Sequence, residues 1–340
     1  VGQGSRWGRI AGRELTTVAI TIFGLLLVTF LIARVMPIDP VLAVVGDRAP
    51  ADVYEKARLD LGLDKPLWQQ FAIYIGKVFS GDLGRSVLTS NLVTEDLRTV
   101  FPATLELATL GTLIGVVIGV PFGVVAATHQ GRWPDQIARI VGLFGYSIPV
   151  FWLGLMGLLL FYAKLGWVAG PGRVGVAYQD LFDPITGIVV LDAALQGEWD
   201  AFRDAFSHLI LPASVLGILS VAYISRMTRS FMINELQQQY VVAARVKGVS
   251  EFRVVWGHAL RNAVVPLVTV IALSYMHLLE GSVLTETIFA WPGLGRYLTN
   301  SLLNADMNAV LGGTLLVGAV FIGINLLSDI VGRLADPRAR

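Results

Sequence analysis
Apolar residues run almost unbroken through six stretches of the chain, at about residues 15–35, 101–127, 137–163, 208–227, 263–284 and 309–331. A helix of about 20 residues crosses the roughly 30 Å of bilayer hydrocarbon. The pattern therefore predicts an all-α integral membrane protein with six transmembrane helices. Arg6, Arg9 and Arg13 precede the first stretch. A basic flank before an apolar run also marks a signal peptide. This run is longer than a signal core and lacks a small-residue cleavage site, so an uncleaved anchor is expected. Pro37, Asp39 and Pro40 are expected to end that helix.

Residues 37–99 are too polar to span and predict an external helical insert. Pro50 opens a short helix that Gly62 closes, and Pro66 opens another that Gly81 closes. The second places Leu67, Phe71, Tyr74 and Val78 on one face, which is expected to lie on the bilayer surface or on other helices. A second polar insert runs from Gly166 to Phe206 and carries Asp180, Asp183, Asp192, Glu198, Asp200 and Asp204 against Arg173 and Arg203.

The stretch from Asn234 to Pro266 is polar and basic although long apolar runs flank it. Asn234 with Gln237 three residues on predicts a capped helix. Gly248 is placed to stop that helix in the left-handed conformation. Ser250 is expected to cap a second helix, with Glu251 in a first turn where the helix dipole favours an anion. Two short helices joined by a sharp bend, held between two spans, suit docking to a soluble partner.

Composition narrows the picture. The hydrophobic class makes up 54% of the 340 residues, and the mean hydropathy is +0.66. That excess fits membrane spans and not one water-soluble core. There are no cysteines, which excludes disulfides, thiolate metal sites and thiol nucleophiles. The four histidines are scattered and form no close-spaced metal pattern, so no metal site is expected. No phosphate-binding Gly-x-x-x-x-Gly-Lys-Ser/Thr loop occurs, so this chain is not expected to hydrolyse ATP itself.

Arginines and lysines cluster on one side of the six stretches: Arg6, Arg9, Arg13, Arg132, Arg139, Arg226, Arg229, Arg245, Lys247, Arg253, Arg261, Arg333, Arg338 and Arg340. The short loops opposite carry Lys164, Arg173, Arg203 and Arg296. The positive-inside rule then puts both termini and the bend in the cytoplasm.

The run Ala243-Ala244-Arg245-Val246-Lys247-Gly248, continuing from His258 to Pro266, resembles the cytoplasmic loop of ATP-binding-cassette (ABC) importer permeases, in particular the dipeptide/oligopeptide/nickel branch. The wider family carries Glu-Ala-Ala, three residues, then Gly; Val242 stands here in place of the Glu. Gly62–Trp68, Gly81–Ser86 and Glu286–Arg296 resemble the same branch. The resemblance implies a type I ABC importer permease fold. It divides the chain into a tail and first span (1–36), the external helical region (37–99), a five-span core (100–333) with the coupling loop at 231–262, and a cytoplasmic tail (334–340). It also implies a bacterial inner-membrane location, a homologous permease partner, two cytoplasmic ATP-binding subunits that hold ATP and Mg, and an external solute-binding protein. Solutes of this branch include dipeptides, oligopeptides, glutathione, opines, sugars and nickel chelates. Ala243, Ala244, Arg245, Lys247, Gly248, Ser250, Glu251 and Arg253 would then couple to the ATPases.

Inside the spans, Gly111, Gly115 and Gly119, then Gly142, Gly145, Gly312, Gly313, Gly318 and Gly323, suit close helix packing. Pro121, Pro149, Pro212 and Pro266 are expected to kink or end helices. Glu106, near the outer end of the second stretch, is expected to reach the surface. Glu280 lies well inside the fifth, with His277 one turn before it and Tyr275 nearby. A carboxylate at such depth costs roughly 2.5–3.5 kcal/mol, so these three residues are candidates for a translocation pathway, or Glu280 for a structural ion pair. Besides the importer permease, an ion-coupled secondary transporter using Glu280 or His277 and a membrane-embedded enzyme stand as alternatives. The first of these lacks the expected internal repeats, and the second lacks a catalytic set.

Overall fold
The computed structural model describes residues 3–35, 40–46, 49–60, 62–179 and 183–335. The helix stop assigned to Pro37 and Asp39, Asp180 of the second insert, and Arg338 and Arg340 of the tail lie outside the described residues. Among the described residues, the α-helices in chain order are α1 Gln3–Val35, α2 Pro40–Val45, α3 Ala51–Asp60, α4 Leu67–Phe79, α5 Val93–Thr128, α6 Trp133–Ser147, α7 Val150–Gly157, α8 Val189–Gln196, α9 Trp199–Leu236, α10 Gln239–Val246, α11 Leu260–Gly281, α12 Val283–Ile288, α13 Leu294–Leu303 and α14 Met307–Ala335. Wider π-type turns at Leu158–Lys164 and Arg253–Ala259 extend α7 and lead into α11. Among the described residues the only β-pairing is a bridge between Arg85 and Leu92.

Among the described residues, four helical runs are long and apolar enough to cross a bilayer: Val93–Thr128, Trp199–Leu236, Arg253–Gly281 and Met307–Ser328. The apolar segments Trp133–Gly145 and Val150–Lys164 pass the same test only together and are bent by 95° at the break between them, and α1 carries the shorter apolar stretch Thr16–Ile32. The third predicted span is thus broken and not continuous. Pro149 lacks an amide hydrogen and disfavours helix at Ile148, which is extended (ψ 124°). Pro121, Pro212 and Pro266 instead lie inside continuous helices. At 38 residues α9 is about 57 Å long, far longer than the predicted fourth span.

The chain divides into two compact units, Val1–Val100 with Tyr297–Gly323, and Phe101–Arg296 with Ile324–Arg340. In the first, α4 starts after Pro66 and ends ahead of Gly81 at φ +79°, as the sequence predicts. Its Phe71 packs on Phe23 and Phe30 of α1. Two buried aspartates pin the loop after α4. Asp306 accepts from the Ser86 hydroxyl and the Leu88 amide, and Asp96 accepts from Thr89, Asn91 and Tyr297. Burial, with the Asp96 carboxylate beside it, pushes the Tyr297 phenol well above its usual pKa.

In the second unit α5, α9 and α11 pack closely. A Cβ on Gly115 would run into Ser220 Oγ, and one on Gly123 would meet the Ser225 carbonyl. The Ser220 and Ser274 hydroxyls bond at 3.0 Å. Gly111, Gly119 and Gly145 likewise admit close neighbours, as do Gly312, Gly313 and Gly318 within the first unit, whereas Gly142 and Gly323 face open space. Asp135 at the start of α6 is buried and binds Arg229 of α9 (2.9 Å), Arg139 (3.1 Å) and the Gly131 amide (2.9 Å).

Candidate functional site
α9 does not stop where the sequence pattern suggests. Met232 is buried and Ile233 and Leu236 pack beside it, so the helix continues to Leu236. Asn234 therefore lies on its exposed side within the helix and caps nothing, and the residue preceding α10 is Gln238 (φ −71°, ψ 149°). From there the bend follows the prediction. The Gly248 amide donates to the Arg245 carbonyl (3.0 Å) and the Val249 amide to that of Ala244 (3.1 Å). This pair of bonds closes a helix through a left-handed residue, and Gly248 supplies it at φ +78°. Helix resumes at Glu251, and the Ser250 carbonyl accepts the Val254 amide at 2.9 Å.

The two sides of the bend are unlike. Val241, Val254, Val255 and Ala259 are buried with Met232 of α9, Val124 and Ala127 of α5, and Ala263 of α11. Each of the valines and Met232 contributes about 1.5–3 kcal/mol when fully buried, and each alanine less. The other side is open: Val242 is 53% exposed, Val246 83% and Phe252 75%. Ala243, Lys247, Ser250 and Arg253 are exposed around them, and Ala244 is half-buried. Arg245 and Glu251 form an ion pair across the bend, 2.6 Å at its closest. The Arg245 guanidinium holds the Glu251 carboxyl below its usual pKa, and Glu251 raises that of Arg245. Arg245 thus already has an intramolecular partner. Among the described residues, Lys247 and Arg253 make no ion pair.

Of the pathway candidates, Tyr275 bonds the Thr109 hydroxyl at 3.1 Å. His277 and Glu280 are exposed and, among the described residues, make no hydrogen bond or ion pair with each other or anything else. They share one exposed stripe of α11 with Thr269 and Leu273, at three- and four-residue spacing.

Glu106 and Glu286 are both buried. Glu106 does not reach the surface. It pairs with Arg173 at 2.7 Å and accepts the Val190 amide at 3.1 Å, while Arg173 also donates to the Gly187 carbonyl and lies 5.8 Å over the Trp291 ring. Arg173 enters from the second polar insert, so no local pattern predicts the pair. Glu286, which follows the fifth predicted span, is fully buried. Its Oε1 accepts the hydroxyls of Thr104 (2.7 Å) and Ser282 (2.8 Å), and its Oε2 the Arg296 amide (2.8 Å). Cβ atoms at Gly293 and Gly295 would strike this carboxylate. That glycine pair, seven and nine residues after a lone acid, is the signal in the sequence. In the insert, Asp192 accepts four hydrogen bonds, from the Ile185, Thr186 and Gly187 amides and the Thr186 hydroxyl, and organises the turn before α8.

Two family profiles match the chain. One, described as the binding-protein-dependent transport system inner membrane component, covers residues 119–340. The other, the N-terminal part of such membrane components, covers residues 9–108. The di/tripeptide transport system permease protein DppB of Pseudomonas aeruginosa (strain UCBPP-PA14) is 44% identical over 96% of this chain and 97% of its own length. The dipeptide transport system permease protein DppB of Escherichia coli (strain K12) is 42% identical over 96% and 97%. The probable D,D-dipeptide transport system permease protein DdpB of the same strain is 40% identical over 94% of each. In fold, the chain is similar to a chain of the MetNI methionine ABC transporter in an inward-facing conformation. The TM-score is 0.50 at 18% identity, over 69% of this chain and 93% of that one.

Proposed function
The chain belongs to the binding-protein-dependent transport system inner membrane component family, and from that premise we propose that it is one of two homologous permease subunits of an ATP-driven peptide importer. Dipeptides are the solute class that its relatives' names favour. Two cytoplasmic subunits would hold ATP and Mg, and an external binding protein would deliver the solute. The permease itself carries no catalytic role in this reading. The bend at Gly248 is the ATPase docking element, and residues 1–36, 37–99, 100–333 and 334–340 keep the roles that the sequence assigns. Both termini face the cytoplasm.

The observation that carries the coupling role is the two-sided packing of the bend. Its exposed face offers Val242, Val246 and Phe252, ringed by Lys247 and Arg253, to a soluble partner. Its buried face is wedged against α5, α9 and α11. Packed interiors are stiff, so a push on the exposed face moves the ends of three spans together. ATP binding would close the ATPases, shift the bend and open the spans outward. The stripe bearing Thr269, His277 and Glu280 is the pathway wall of this subunit, because polar side chains at bilayer depth need water or a protein partner.

The secondary-transport alternative is not favoured, since the family profiles and the relatives' names describe binding-protein-dependent and peptide transport system components. Uptake of a labelled dipeptide into vesicles holding the complete complex and its binding protein decides the matter. Uptake should require ATP and persist with ion gradients collapsed. Uptake driven by an ion gradient without ATP would refute the proposal.

A further inference from the structure
The exposed face of α4 is mostly apolar, with Gln69 partly exposed near its start and Lys77 exposed in its last turn. Leu67, Trp68, Ala72, Ile73 and Phe79 all lie open, Trp68 at 69% and Phe79 at 75%. The opposite face packs on α1. The Phe71 ring centroid lies 5.9 Å from Phe23 and 5.1 Å from Phe30, and the Tyr74 ring lies 5.8 Å from Phe30. Those residues of α1 fall inside its apolar stretch Thr16–Ile32. A helix docked there sits at the depth of the hydrocarbon.

Two further observations agree. Tyr74 is the one polar side chain between Phe71 and Gly76. Its hydroxyl lies 2.9 Å from Thr29 Oγ1, and Thr29 in turn donates to the Leu25 carbonyl at 2.8 Å. Polar groups in hydrocarbon must be satisfied within the protein in this way. The open face of α4 also continues an existing one. Ile20, Phe23 and Val28 form the exposed apolar side of α1, and Phe23 itself touches Phe71. Lys77, the only charge in α4, lies in its last turn, where a long stem can carry the ammonium to the headgroups. Thirteen residues reach about 20 Å, short of the roughly 30 Å needed to cross.

We propose that α4 is a membrane-embedded half-helix beside the first span, and that its face of Leu67, Trp68, Ala72, Ile73 and Phe79 contacts lipid acyl chains. The absence of native cysteine makes the test clean. Single nitroxide labels go on Ala72→Cys and, as a second site, Ile73→Cys, in the assembled complex in phosphatidylethanolamine–phosphatidylglycerol vesicles. Val28→Cys on α1 is the lipid-facing reference and Asp64→Cys the aqueous one. Relaxation by oxygen and by a water-soluble nickel chelate is then compared. The oxygen-to-nickel accessibility ratio at both α4 sites should match Val28 and exceed Asp64 several-fold. Ready nickel access at both would place α4 in water, and access by neither reagent would mean that a protein subunit covers it; either result overturns the proposal.

Discussion

Arg245 and Glu251 reach across Gly248 and tie the two arms of the bend together, Nη2 to Oε1 at 2.6 Å and Nε to Oε2 at 3.1 Å. Both side chains are substantially exposed, so solvent screens the pair and it contributes at most about 1 kcal/mol. Glu251 is held below its usual pKa. The pair's contribution is therefore complete above the ordinary glutamate pKa of about 4.3 and fades only as pH falls through the lower folded value. Arg245→Ala should lower the melting temperature of the complex slightly, by the same amount at pH 6 and pH 8. Thermal melts at the two pH values check this, and a difference that changes across that window would contradict it.

Gly248 meets no neighbour that a Cβ would strike, so any cost of substitution there is conformational. At φ +78° a β-branched residue costs about 1–2 kcal/mol, whereas Asn visits this region readily. Gly248→Val should leave the chain inserted and assembled while ATP hydrolysis no longer drives uptake, and Gly248→Asn should retain coupling. Hydrolysis and uptake measured side by side test the bend's role. Normal coupled uptake by the Val variant would remove it.

Glu286 is a buried acid held by neutral donors. Glu286→Ala strands the Thr104 and Ser282 hydroxyls and the Arg296 amide, and leaving such groups unpaired costs about 1–3 kcal/mol each. Glu286→Gln keeps one acceptor but sets an amide NH2 beside another donor, for about 1–3 kcal/mol. The Ala variant should melt lowest and the Gln variant between it and wild type. An Ala variant of wild-type stability would show that the network does not hold this turn.

Glu280 is the opposite case, an exposed acid without a partner among the described residues. Glu280→Gln removes charge at constant size. If it faces the passing solute, uptake of cationic dipeptides should fall more than that of neutral ones, with the melting temperature unchanged. Equal loss for both classes, or none, would exclude a role in charge selection.

Much of this was readable beforehand, because helices in a bilayer obey strong local rules. The apolar runs located the four helices that are long and apolar enough to cross a bilayer, and Gly62, Gly81 and Gly248 marked turns that do take positive φ. What failed was non-local. Asn234 is a good cap in isolation, but burial of Met232 carries α9 past it. Glu106 looks free until Arg173 arrives from 67 residues away. Glu286 has no local partner in the sequence pattern, and Thr104, 182 residues distant, is brought beside it. Period and capping rules see only a few turns of chain, whereas these pairings are set by tertiary packing.

The claim that most needs testing is that the exposed face at Val246 and Phe252 receives an ATP-binding subunit. A benzophenone label on Val246→Cys in the complete complex tests it directly, since no other cysteine exists in this chain. On illumination, the label should cross-link to the ATP-binding subunit, and in sealed cells an impermeant reagent outside should not reach Val246→Cys. Cross-linking to the external binding protein, or labelling from outside, would contradict the account.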